Sequence, residues 1–315
     1  MKPSRPLMLL SLCCAAAAWI ALAHADGGAK ASAASKTSSV QIPLLWKVSD
    51  ADNAVYLLGS FHLLKPDDYP LSKDIDAAFD DAKTVVFEVE PSSLGTPETA
   101  QKFQQATGYA DGRTLSQVLP KATLDRLEKL LAVSDGSVAK VEHVEPWAVN
   151  LSLVLGMTQA MGFRQEQGLD ANLMQRAAAA QKAVAGLETV DDQIQALDSM
   201  PMNEQVSSLD ELLQDPQEAL GDLLEMHDWW KRGDLKNLDE KLRVDMQRKT
   251  PVTYRTINVE RNDRWVPQIE QRLAEPGTDN TLVVVGAMHL LGKDGVVDKL
   301  RGKGYTIERI CSACK

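Results

Sequence analysis

One eight-residue pattern occurs twice in this 315-residue chain, near its opposite ends, and it constrains the fold more than any other feature. Leu57-Leu58-Gly59-Ser60-Phe61-His62-Leu63-Leu64 and Val284-Val285-Gly286-Ala287-Met288-His289-Leu290-Leu291 share one form: apolar, apolar, Gly, small, apolar, His, Leu, Leu. Each copy closes an apolar run of strand character. A glycine at a strand end permits a sharp turn or a close backbone approach that a Cβ would block. The imidazole three residues later then stands at the rim of the sheet, where open α/β sheets bind ligands. The repeat therefore predicts two neighbouring strands that aim His62 and His289 into one pocket.

The rest of the chain can be arranged around that pair. Residues 44–48 and 54–58 read as a hairpin across the polar turn 49–53. Helical spacing of Ile75, Ala78, Phe79 and Ala82 predicts a helix over 71–82, and alternation predicts a strand over 84–90. Residues 97–273 are mainly helical. They include a long periodic stretch at 115–133 and a nearly apolar one at 147–163, which Asn150, Ser152, Thr158 and Gln159 mark as a buried helix and not a membrane span. An Ala-rich helix at 171–182 and a short strand at 183–187 follow, then amphipathic helices broken near Pro201, Pro216, Gly233 and Pro251. A buried strand at 281–285, a helix at 296–303 and a strand at 305–310 complete the order. Strands at both ends around a helical middle predict one α/β domain over 42–315. Its mixed sheet comes from the N- and C-terminal segments, with a large, mainly helical insertion or cap.

The first residues read as an address. Lys2 and Arg5 precede an apolar run, Leu7 to Ala23, and Ala23-His24-Ala25 is an A-x-A cleavage signal. Residues 1–25 are thus expected to be a signal peptide, directing an exported protein to the periplasm or beyond the cell, with no stable membrane span after cleavage. Residues 26–41 are expected to be a flexible leader. Cleavage would remove Cys13 and Cys14. It would leave Cys311 and Cys314 in an oxidising compartment, where a terminal disulfide pinning the last strand is expected. The 34 Lys and Arg against 44 Asp and Glu give a net charge of −10, which disfavours nucleic acid as a partner because the counterion-displacing basic surface is missing. Nothing in the sequence sets the oligomeric state.

The two histidines carry the chemistry. With Glu88, near the end of a third strand, they would suit a divalent transition metal (Mn, Co, Zn or Fe) with positions left for water or substrate. Such an ion brings bound water within reach of ionising at neutral pH. Without metal, a His beside a carboxylate can act as a general base. Glu88 can be buried only if a cation accompanies it. His143 and His227 read as structural or surface residues, and no G-x-S-x-G, H-E-x-x-H, P-loop or G-x-G-x-x-G motif is present.

These motifs resemble the TraB/GumN family, related to the Tiki proteases of animals. The likeness is carried by Leu45-Trp46-Lys47-Val48, Val55 to His62, Phe87-Glu88-Val89-Glu90, Gly168-Leu169-Asp170, Leu187-Glu188-Thr189, Glu260-Arg261-Asn262 and Gly286 to His289. The resemblance implies a metal-dependent, peptidase-like hydrolase of a peptide or small-molecule substrate. It places His62, Glu88 and His289 as metal ligands and catalytic set, and Arg261 as an oxyanion or ion-pair partner. Asp170, Glu188 and Glu90 would be supporting groups. For Asp170 a helix N-cap is the competing reading, and for Arg261 a structural ion pair. The rival functions are a non-catalytic periplasmic binding protein for a peptide, a metal or a haem-like ligand, and a metal-free His-based esterase.

Overall fold

The computed structural model describes residues 41–314. The expected signal peptide and, except for Gln41, the expected leader lie outside the described residues. Gln41 itself is buried and accepts a hydrogen bond from the Ser72 amide at 3.0 Å, so the packed structure already includes this last residue assigned to the leader.

Six strands form one mixed sheet: β1 (Leu45–Ser49), β2 (Ala54–Ser60), β3 (Ala82–Val89), β4 (Ala183–Glu188), β5 (Asn280–Gly286) and β6 (Thr306–Arg309), in the spatial order β4-β3-β5-β2-β1-β6. β4, β3, β5 and β2 run parallel, whereas β1 pairs antiparallel with both β2 and β6. Every residue of β2, and all of β5 after Asn280, is buried. Continuous apolar runs of this kind suit strands covered on both faces.

The two octets meet as the sequence predicts, but with a stagger. β2 and β5 are adjacent, and Gly59 pairs with Val285 while Ser60 pairs with Gly286. The equivalent glycines are one residue out of step, and they serve different purposes. A Cβ on Gly59 would stand 3.0 Å from Leu44 Cβ and 3.3 Å from the Ala287 Cα, so this glycine admits a neighbouring segment. A Cβ on Gly286 would instead intrude among His62, Glu88 and His289.

Between β3 and β5 the chain is helical apart from β4, as expected for the insertion. The predicted helix over 115–133 is two helices, Leu115–Val118 and Lys121–Leu131. Pro120 holds Leu119 extended and has no amide to continue the first helix. The apolar stretch forms helix Pro146–Ala160, largely buried, and no helix among the described residues is long and apolar enough to cross a membrane. Gly233 ends helix Pro216–Arg232 in the left-handed region at φ 62°, where glycine is at ease. Residues Asp239–Val244 and Arg255–Val259 are π-helical, which periodicity alone did not anticipate. Cys311 and Cys314 are joined by a disulfide just beyond β6.

Candidate active site

The carboxyl ends of the four parallel strands supply or adjoin the site. His62 stands two residues beyond β2, Glu88 is the penultimate residue of β3, Glu188 ends β4, and His289 lies in the short 3-10 turn Ala287–Leu290 after β5. Helix Glu260–Ala274 contributes Arg261 and Asn262, and helix Leu169–Ala179 contributes Asp170. His62, Glu88, Arg261 and His289 are all at most 3% exposed.

The His62 loop is clamped before its side chain is placed. Leu64 and Arg164 exchange backbone hydrogen bonds at 3.2 and 2.8 Å, and the Leu169 amide donates to the Phe61 carbonyl. Gly168 is required there, since a Cβ would stand 2.3 Å from the His62 carbonyl oxygen. Gly168 also takes the cap position, so Asp170 lies inside the first helical turn and is not the N-cap. Its carboxylate turns to the loop. Asp170 Oδ1 accepts from His62 Nδ1 at 3.0 Å and from Ser60 Oγ at 2.8 Å.

That contact fixes the His62 tautomer, with Nδ1 protonated and Nε2 as the titrating nitrogen. Burial pushes the His62 imidazole down, but Asp170 and then Glu88 outweigh it, and its pKa rises above the ordinary 6.5. Nε2 lies 3.0 Å from where a Cβ of Gly286 would stand. Glu88 Oε1 approaches the same point at 3.3 Å and His289 Cδ2 at 3.6 Å. The three motif residues therefore converge on the bare Cα of Gly286.

Glu88 has the cation its burial demands. Oε2 accepts from Arg261 Nη2 at 2.6 Å and from Gln193 Nε2 at 3.1 Å, and Oε1 accepts from the Gly286 amide at 2.7 Å. Burial pushes this carboxyl up. Arg261, the two histidines and the Gly286 amide more than reverse the effect, holding it at about 2.

Arg261 is enclosed. Nε and Nη2 grip both oxygens of Glu188, Nη2 also reaches Glu88, and Nη1 donates to the Ile257 carbonyl at 3.3 Å and to His289 Nε2 at 3.2 Å. All five guanidinium hydrogens thus have acceptors. Trp265 closes the far side, its indole nitrogen donating to Glu188 at 3.2 Å and its ring beneath the guanidinium.

The His289 pKa is shifted in the opposite direction to that of His62. Its Nδ1 donates to Asn262 Oδ1 at 2.8 Å, and Asn262 is oriented by donating in turn to the Asp294 carbonyl at 2.8 Å. Its Nε2 lone pair faces the Arg261 cation. Burial and Arg261 push its pKa down to about 3.

The metal expectation can be tested against these contacts. Glu88 and His62 present a donor atom to the space over Gly286, whereas both nitrogens of His289 are engaged, one as donor and one facing a cation. No group of three or more His, Cys, Asp or Glu among the described residues is arranged to hold a metal ion. As placed, only His62 and Glu88 turn donor atoms to that space, and His289 would have to leave Arg261 to complete a three-ligand set. One expectation is corrected by position. Glu90 is exposed and accepts from Ser92 Oγ at 2.9 Å, outside the site, because the chain turns outward past Val89. His227 is a structural residue, buried against Asp68 at 2.9 Å. Neither Gln193, one polar residue on a helix, nor Asn262, present in the Glu260-Arg261-Asn262 segment, was assigned a role from the sequence.

The fold and site define an α/β protein whose parallel-strand rim carries a buried centre of two histidines, carboxylates and one arginine. The chain belongs to the TraB/PrgY/gumN family, whose profile matches residues 44–309. It is 25% identical over 249 residues to an uncharacterized protein, YbaP, of Escherichia coli strain K12, covering 78% of this chain and 87% of that protein. The same figures hold for YbaP of Shigella flexneri. No solved structure matches.

Proposed function

We propose that this is an exported hydrolase of peptide amide or small ester bonds in which His62, held by Asp170, moves the proton. The observation that carries this reading is the orientation of His62: Nδ1 is fixed on Asp170, and Nε2 is turned to the space over Gly286 beside Glu88. Neutral His62 takes a proton from water at Nε2 as the water oxygen bonds to the carbonyl carbon and the carbonyl electrons move to oxygen. Protonated His62 then returns that proton to the leaving nitrogen or oxygen as the scissile bond breaks. Glu88 and Asp170, the carboxylates beside His62, also border a cavity of about 10 Å³ that is otherwise lined by apolar residues. Arg261, whose hydrogens are all bonded, positions Glu88 and His289.

The same Gly286 convergence of His62 Nε2 and Glu88 Oε1 supports a second reading, in which a divalent transition metal binds there. That reading requires Arg261 to release His289. Export is supported by Lys2, Arg5, the apolar run to Ala23 and the Ala23-His24-Ala25 signal, together with the Cys311–Cys314 disulfide.

The test is turnover of a peptide and ester library by the purified mature chain, with and without chelator. His62→Gln should lower turnover by about 100-fold or more. Unchanged turnover in His62→Gln overturns the assignment, and loss of turnover on chelation favours the metal reading.

A further inference from the structure

Cys311 and Cys314 form the expected disulfide, but the bridge does not pin the last strand. β6 ends at Arg309, so both cysteines lie beyond it and the bridge closes a loop within residues 311–314. Other contacts hold the strand. It pairs antiparallel with β1 from Ser49↔Thr306 to Trp46↔Arg309, the Ile310 amide donates to the Leu45 carbonyl at 2.9 Å, and Arg309 Nη2 donates to the Gly233 carbonyl at 3.0 Å. None of these contacts runs through the sulfurs. Beyond them, the Ser312 amide donates to Asp74 Oδ2 at 2.8 Å, an exposed contact at the start of helix Lys73–Asp81.

In the chain-entropy account, a cross-link stabilises a fold by restricting the unfolded chain, and the effect shrinks with the loop it closes. A bridge across a sequence separation of three restricts little. Its position favours reaction instead. Cys314 is exposed and Cys311 half-buried. β6 is the outermost strand of the sheet, so the segment leading to the bridge follows an edge to which an extended partner can dock. Exposed disulfides are the labile ones, open to attack by a thiolate. In the expected mature chain no third cysteine competes, because Cys13 and Cys14 lie in the signal segment.

We infer that Cys311–Cys314 is a thiol–disulfide exchange site that takes two electrons from a dithiol protein. One thiolate of the partner bonds to the exposed Cys314 Sγ, and the Sγ–Sγ bond breaks with its electron pair leaving on Cys311. The partner's second thiolate then attacks the partner sulfur of the mixed disulfide and releases Cys314 as a thiolate. The two protons given up by the partner's thiols end on Cys311 and Cys314. The chain is reduced to a dithiol and the partner is oxidised to a disulfide. The site shares no residue with the His62 centre and does not depend on the hydrolase reading.

Two measurements on the purified mature chain test the inference. The first is the equilibrium of the cysteine pair with reduced and oxidised glutathione, in the folded chain and in the chain unfolded by urea. By linkage, a bridge that stabilises the fold is made harder to reduce by the fold in equal measure. The two equilibrium constants should agree within about tenfold, whereas a structural staple of ordinary strength would separate them by about 30-fold or more. The second measurement uses a thioredoxin whose second active-site cysteine is replaced by serine, so that the mixed disulfide accumulates instead of resolving. An adduct should form with the folded chain, and mass spectrometry of its peptides should place it on Cys314. A separation of more than about tenfold in the first measurement marks a staple and overturns the inference. An adduct on Cys311, or no adduct, overturns it as well.

Discussion

Arg261 donates from Nη1 to His289 Nε2 at 3.2 Å, and this contact separates the roles of the two motif histidines. A guanidinium cannot accept a proton from a neighbour, so His289 Nε2 stays a bare acceptor and the ring stays neutral. His62 instead has the Asp170 carboxylate on Nδ1, where His289 has Asn262, and is drawn toward the charged form. Two copies of one sequence pattern thus give one ring drawn toward protonation and one held neutral.

The rate should follow His62. Its folded pKa is raised above 6.5, so the base form, and with it kcat/KM, should increase with pH through a midpoint above that value. Asp170→Asn should move the midpoint downward and lower the plateau, read from a pH–rate profile. The linked stability has the opposite sense: the His62–Asp170 contribution is complete below 6.5 and is lost as pH rises through the raised value.

Acid should loosen the site for a separate reason. His289 is held down at about 3, so its contribution is present above 6.5 and is lost as pH falls from there toward 3. Glu88, held at about 2, adds a second loss as pH falls from 4.5 toward 2. Thermal melting points should therefore decline on acidification below 6.5 and more steeply below 4.5. Glu88→Gln should flatten the lower part of the curve.

Removing the cation should cost more than removing one of its partners. Arg261→Met leaves Glu88 and Glu188 buried without their shared counter-charge, a loss of roughly 3–5 kcal/mol measured by denaturant unfolding. Adding Glu88→Gln and Glu188→Gln to that variant should restore part of the loss, since the three groups act as one unit.

Two glycines should separate folding from chemistry. Gly286 has φ −53° and ψ 140°, which alanine accepts, and its Cβ would press on the His62 ring nitrogen at 3.0 Å. Gly286→Ala should therefore lower turnover by about tenfold or more, with a stability change under ~1.5 kcal/mol. Gly168→Ala would drive a Cβ into the His62 carbonyl and should cost about 2–3 kcal/mol of stability. Paired melting and turnover measurements distinguish the two.

The sheet and the neighbourhood of its two octets were legible because continuous apolar runs and glycine placement are local properties of sequence. The stagger of Gly59 against Val285 was not, because register between distant strands depends on packing from both faces. The need of a buried Glu88 for a cation could be stated from charge alone, and Arg261 meets it. Which lone pairs remained available could not be read, because that depends on Gln193, a single polar residue on a helix with no pattern to mark it, and on Asn262, which the Glu260-Arg261-Asn262 segment marked without giving it a role. Glu90 was misplaced for a related reason: strand alternation put it on the face of Glu88, but the chain leaves the sheet at Val89. The long helix over 115–133 failed at Pro120, a breaker visible in the sequence that the surrounding periodicity obscured.

The most direct test of the central claim is a histidine ring titration by NMR on the folded chain, with His62→Gln and His289→Gln used for assignment. The account predicts that His62 titrates above 6.5 with its proton on Nδ1 in the neutral form, and that His289 stays neutral down to about 3. A His289 that titrates near 6.5, or a His62 that remains neutral throughout, would contradict it.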